Sequence, residues 1–138
     1  MHLSLELDTR GDGDFLDITA RVAEKVKGSG VASGMVVVLV LGSTAGLILN
    51  ENEPGLLEDL RALGNRLVPP LADYRHNQAW QEKNATSHLR ACLFGFSLTL
   101  PFREGQLILG PWQHIILLEF DTRPRRRTIQ LSILPDGG

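Results

Sequence analysis

The chain opens on a two-residue alternation. Leu3, Leu5 and Leu7 fall on one side of an extended segment and Ser4, Glu6 and Asp8 on the other, the period of a half-buried strand. Gly11-Asp12-Gly13 breaks it, and a four-residue recurrence follows. Asp17 is placed to cap a helix in which Ile18, Val22 and Val26 share a face, and Gly28-Ser29-Gly30 stops that helix. Residues 35–41 are short, apolar and rich in valine, which predicts a central strand covered on both faces, with residues 43–49 as its hairpin partner. Pro54 suits the first turn of a second helix, whose stripe of Leu56, Leu57, Leu60, Leu63 and Leu67 runs until Pro69-Pro70.

Residues 71–83 are polar and aromatic with no sustained period, and predict a loop. A short helix over 86–94, closed by Gly95, precedes strands at 97–102, 106–109, 112–120 and 127–134, the first pair joined through Arg103-Glu104-Gly105. In the last strand Ile129, Leu131 and Ile133 face inward; residues 135–138 read as a loose tail. The order β-α-β-β-α-α-β-β-β-β has no regular alternation and no internal repeat. It predicts one α+β domain over residues 1–138, with a largely antiparallel or mixed sheet and helices against it.

Composition narrows the function classes. A chain of 138 residues with 43% apolar content supplies one real core. A net charge of −2 gives no field to gather nucleic acid or an acidic membrane, so neither is an expected partner. The longest apolar run, 35–41, falls far short of the roughly 20 residues that span a bilayer as a helix. The alternating N-terminus lacks the pattern of a secretory signal. The lone Cys92 cannot form an internal disulfide and lies in an apolar stretch, where burial is expected. A soluble, cytoplasmic protein in a reducing compartment is the expectation.

Candidate chemistry centres on histidine. His76 lies in the polar loop, and Asn84 and His88 are four positions apart, on one face of a helix that starts early enough. Imidazoles bind metals and move protons, and a carboxamide beside them orients substrate or water. The twelve-residue separation of His76 and His88 matches no short metal motif, and spacing alone favours ordinary surface or interface histidines. Asn52 or Glu53 fits a helix cap, which leaves Asn50 and Glu51 as candidates for a site wall. Ser43-Thr44-Ala45-Gly46 carries two hydroxyls but lacks the glycine spacing and lysine of a phosphate loop, and no nucleophile elbow is present. On the strand at 112–120, Gln113 and Glu119 share a face with Ile115 and Leu117, which suggests a wet cavity or a subunit interface. Arg123, Arg125, Arg126 and Arg127 read first as a solvated turn or edge guard, and second as an anion grip.

Taken in order, Asp17-Ile18-Thr19, Ser43-Thr44-Ala45 with Asn50-Glu51-Asn52, Tyr74-Arg75-His76, Asn84-Ala85 with His88-Leu89, Gly95-x-Ser97-Leu98-x-Leu100-Pro101, Gly105-x-Leu107 and Leu109-Gly110-x-Trp112-Gln113 resemble the YjbQ-like family over nearly the whole chain. The resemblance implies a YjbQ-like α+β fold with a curved, barrel-like sheet, assembled as a homotrimer with polar sites near subunit boundaries. It also implies a weak, secondary thiamine-phosphate synthase activity, a transferase reaction joining a pyrimidine pyrophosphate to a thiazole phosphate with loss of pyrophosphate. The partner would then be a small phosphorylated metabolite. Carried onto this sequence, His76, His88 and Asn84 take the catalytic positions, with Ser43, Asn50, Glu51, Trp112 and Gln113 as ligand-binding neighbours. A divalent ion, zinc or magnesium, is the cofactor implied at His76 and His88. Gly42 stands where many relatives place another histidine, so a three-histidine set is incomplete and a tight zinc site is disfavoured. The alternative is a trimeric protein that binds or senses a small anionic metabolite or metal without turning it over.

Overall fold

The computed structural model describes residues 1–137 and keeps the expected order with two short elements added. The elements are β1 (His2–Asp8), β2 (Phe15–Asp17), α1 (Thr19–Gly28), β3 (Gly34–Val40), β4 (Ala45–Asn50), α2 (Pro54–Leu67), α3 (Arg75–Ala79), α4 (Ala85–Phe94), β5 (Ser97–Arg103), β6 (Gln106–Leu107), β7 (His114–Glu119) and β8 (Arg126–Pro135). The additions are β2, too short to display a period, and α3, a single turn and a half inside the stretch expected to be loop. The strands make a five-stranded sheet in the order β1-β8-β3-β5-β6 and a three-stranded sheet in the order β2-β7-β4. Every pairing is antiparallel, and the larger sheet curls as a half-barrel.

The place of β3 at the centre agrees with the sequence, since it pairs β8 on one side and β5 on the other. Its coverage does not. Val36, Val38 and Val40 face the core, whereas Met35 and Leu39 stand on the opposite face, 48% and 37% exposed. Nor is β4 its hairpin partner. Both edges of β3 are already taken, and the bend after Gly42, at φ +110°, carries the chain out to pair with β7 in the second sheet. The strand that is covered on both faces is β7. Ile115 and Leu117 pack with Leu47, Val38, Leu131 and the α1 residues Val22 and Val26, while Ile116, Leu118 and Phe120 pack under α2 and α4 with Phe15, Leu57 and Phe94.

Glu119 therefore lines neither a wet cavity nor an open interface within the chain. It is wholly buried and paired with Arg127, itself 2% exposed. The carboxylate accepts from Arg127 Nε at 2.8 Å, from Thr9 Oγ1 at 2.7 Å and from the Asp121 amide at 3.0 Å. Arg127 Nη2 also donates to Thr44 Oγ1 at 2.8 Å, which in turn donates to Asp121 Oδ2 at 2.9 Å. This network ties residues flanking β1, β4, β7 and β8 at one end of the two sheets.

Helix ends follow local chemistry. Asp17 sits one position before the cap residue Ile18, and its Oδ1 accepts from the Thr19 amide at 3.0 Å. Glu53 caps α2, accepting from the Gly55 and Leu56 amides at 2.8 and 2.7 Å. The end of α4 is seated on β4 because Gly46 has no side chain there: a Cβ would stand 2.8 Å from the Gly95 carbonyl oxygen, which accepts from the Leu47 amide. Cys92 is exposed, not buried, because α4 turns Ser87 and Ala91 inward and leaves the next position outside. The expected tail is in part anchored. Pro135 ends β8, and Asp136 exchanges hydrogen bonds with Ser33; Gly138 lies outside the described residues. No helix of the described residues is long and apolar enough to cross a membrane.

Candidate functional site

An asparagine at the start of a helix ordinarily turns its side-chain oxygen onto the first free amides of that helix. Asn84 occupies the cap position of α4 and makes no such bond. Its Oδ1 instead faces His76 Nε2 at 3.1 Å. The capping duty passes to Asn77, whose Oδ1 accepts from the Ala85 amide at 2.9 Å. The two backbone segments are thereby locked together, with Lys83 Nζ donating to the Asn77 carbonyl at 2.6 Å. Asn84 is buried although polar, so its carboxamide is held where it stands.

His88 lies one turn further along α4, and its ring packs edge-on against that of His76, 4.8 Å between centroids and 77° between planes. His76, Asn84 and His88 line one concavity of about 650 Å³ with Trp80, Gln81 and Glu82. That volume is within the range of small-molecule sites, roughly 300–1,000 Å³. Trp80 is two-thirds exposed there and offers a flat apolar surface. Glu82 pairs with Arg123, Nε to Oε1 at 3.3 Å, so one arginine of the basic run reaches a wall residue. The other three are otherwise engaged: Arg125 with Asp121, Arg126 with Glu6 and Asp8, Arg127 with Glu119.

The remaining residues singled out from the sequence do not line this concavity. Ser43 is exposed in the bend before β4. Asn50 ends β4 opposite His114 of β7, and its Oδ1 accepts from the Glu51 amide at 2.8 Å. Gln113 closes its own turn by accepting from the Gly110 amide at 2.8 Å, and Trp112 beside it is 71% exposed. A second polar group forms at that end of the smaller sheet. Asp17 Oδ2 meets His114 Nδ1 at 2.8 Å and accepts from Asn52 Nδ2 at 3.2 Å. Burial pushes the Asp17 carboxyl up, but the bonds donated by Thr19 and the pairing with His114 outweigh it and hold the group below the ordinary aspartate value.

Trp80, Gln81 and Glu82 were legible only as part of a polar, aromatic loop. The available signal was an unexplained tryptophan between polar residues, four positions after His76.

A metal fits this arrangement poorly. Among the described residues no group of three or more His, Cys, Asp and Glu side chains stands close enough to hold an ion. With Asn84 Oδ1 as acceptor, His76 Nε2 carries a proton and is spent on that bond. Two imidazoles fall short of the three or four protein ligands that zinc ordinarily takes.

Comparison with known proteins bears on the fold and the family. The family model described as UPF0047 protein YjbQ-like matches residues 3–136. A UPF0047 protein of Methanothermobacter thermautotrophicus is 40% identical over 129 residues, covering 94% of this chain and 88% of its own. One of Archaeoglobus fulgidus is 39% identical over 127 residues, covering 92% and 97%. Among solved structures, a YbjQ-like protein of Sulfolobus solfataricus superposes with a TM-score of 0.88 at 32% identity, covering 99% of both chains. A hypothetical protein of Aeropyrum pernix superposes with a TM-score of 0.87 at 33% identity, again over 99% of both. The chain belongs to the YjbQ-like, UPF0047 family.

Proposed function

We propose that the concavity of His76, Asn84 and His88 is the reaction site of a low-turnover transferase that joins a pyrimidine pyrophosphate to a thiazole phosphate. The observation that supports this most is the diversion of Asn84 from helix capping to His76. A cap is worth about 1 kcal/mol, and moving it onto Asn77 so that Asn84 can hold an imidazole is the kind of local exception that function imposes. In the reaction the bond between carbon and the pyrophosphate oxygen breaks, the thiazole nitrogen bonds to that carbon, and the leaving group takes the electron pair. A proton from His88, whose ring His76 packs against, and the charge of Arg123 offset the negative charge that develops. Trp80 gives a heterocycle a face to lie on. No step is assigned to a metal.

The assembly belongs to the same proposal. A homotrimer would cover the exposed side of β3, and a neighbouring copy is the available means of bringing Ser43, or Asn50, Glu51, Trp112 and Gln113, to a concavity they do not line within one chain.

His88→Ala tests the reading. Condensation of the two heterocycles should fall about a hundredfold or more while the oligomeric state is kept. Unchanged turnover would remove His88 from the mechanism.

A second reading is favoured by Gly42, which supplies no third imidazole, and by the lack of a metal-holding cluster among the described residues. The same concavity would then bind a small anionic metabolite without converting it. A melting temperature raised by ligand, with no product after long incubation, would select this reading over the first.

A further inference from the structure

A separate cavity of about 170 Å³ lies between α2, α4 and the chain around Gly13, with Phe15 and Phe120 in its wall. It shares no lining residue with the concavity of His76 and His88. Its contents are unusual in charge. The Arg90 side chain is only 5% exposed, yet its donors are mostly unspent. Nη2 donates to the Val68 carbonyl at 2.9 Å, Nη1 stands 3.8 Å from Asp12 Oδ2, beyond hydrogen-bond reach, and Nε has no partner among the described residues. Arg61 lines the same space, its Nε donating to the Gly13 carbonyl at 2.9 Å and its guanidinium 4.6 Å from the centre of the Phe15 ring.

Neither guanidinium can shed its charge. Two fixed positive charges thus share a small cavity lined by a single carboxylate, with Arg61 also pairing at its outer side with the exposed Glu58, Nη1 to Oε1 at 3.4 Å. Burial pushes the Asp12 carboxyl upward, Arg90 opposes the push, and repulsion from Glu119 adds to it, leaving Asp12 above its ordinary value. A buried donor without a partner is costly, and each such group calls for an explanation. The volume exceeds several waters at roughly 30 Å³ each, and falls below the roughly 300 Å³ at which sites for whole small molecules begin. A tetrahedral oxyanion matches the size, the charge and the forked donors.

We propose that Arg90 and Arg61 form an anion site for phosphate, either free or as the phosphoryl end of a larger metabolite. Titration of the full-length protein with inorganic phosphate by calorimetry tests it. One saturable site per chain is expected, weakened about tenfold or more in Arg90→Gln, since a hydrogen bond to a charged group is at stake. His88→Ala should leave this site intact. Absence of saturable binding would overturn the proposal, as would equal affinity in Arg90→Gln, or loss in His88→Ala in place of Arg90→Gln. Where Arg90→Gln does not fold, Arg61→Gln serves, its side chain being 34% exposed; the same weakening is expected, and unchanged affinity overturns the proposal. Parallel titrations with methyl phosphate and a sugar phosphate separate the sources. Preference for inorganic phosphate marks a free anion, and preference for the esters marks the phosphoryl end of a metabolite.

Discussion

Replacing Arg127 with methionine should be among the most damaging single changes in the protein. The substitution keeps a long side chain but removes the only cation among the described residues that pairs with Glu119, a carboxylate with no solvent exposure. It deletes the bonds from Nε and Nη2 to both carboxylate oxygens and the bond to Thr44. Glu119 would keep the Thr9 hydroxyl and the Asp121 amide, two neutral donors for a full buried charge. Breaking one partner of a buried pair costs about 3–5 kcal/mol. With a urea slope of about 2 kcal/mol per molar, the unfolding midpoint should fall by about 2 M. The double substitution Arg127→Met with Glu119→Leu removes the stranded charge, so it should be less damaging than Arg127→Met alone. Urea unfolding of all variants at one protein concentration reads these differences, the fixed concentration guarding against linkage to assembly. A loss below about 1 kcal/mol in Arg127→Met, or a double variant as damaged as the two single losses added together, would refute the reasoning.

Asp17 has its carboxyl held below the ordinary value of 3.8, so its contribution to stability is whole above that pH and is lost as pH falls through the lowered value. In Asp17→Asn the stability gap to the native protein, read by urea midpoints, should be constant near neutrality and close only below about pH 4; a gap unchanged in stronger acid would contradict the linkage. Gly34→Ala should destabilise by about 3 kcal/mol, because the new Cβ would stand 2.1 Å from the Leu134 carbonyl oxygen across the β3–β8 ladder, and near-native stability in thermal unfolding would show that the strands can part there at little cost. The proposed homotrimer would be packed on the exposed side of β3, so Met35→Lys with Leu39→Lys should shift light scattering from trimer to monomer, and an assembly unchanged by the two charges would overturn that placement.

How far the sequence carries can be judged from where periodicity met tertiary context. The stripe of α1 and the alternation of β1 and β8 are local signals, and the chain folds as they indicate; α2 forms as a helix too, although Leu67 of its stripe is 58% exposed. The two valine- and leucine-rich strands exchanged expectations because an apolar run does not reveal what lies on its far side. β3 looked doubly covered and has one open face; β7 carried a glutamate and is the strand buried on both sides. Glu119 was misleading for a physical reason: its partner Arg127 is eight residues away across a turn, so their mutual neutralisation has no period and no motif. The same holds for the basic run, whose four arginines looked alike in sequence and are spent on four different sets of carboxylates. At the site, the meeting of His76, Asn84 and His88 was foreseeable because one helical turn separates two of them. That Asn84 would abandon its cap was not, since the substitute acceptor is Asn77 in the short α3 that the loop concealed. Arg90 marks the other boundary of legibility. Nothing in the local pattern of α4 sets Arg90 apart, and it is buried by packing against α2, its stem lying beside Gly64 and its Nη2 on the Val68 carbonyl. Charge that is placed by packing, as at Arg90 and Arg127, is therefore where this structure adds most to the sequence.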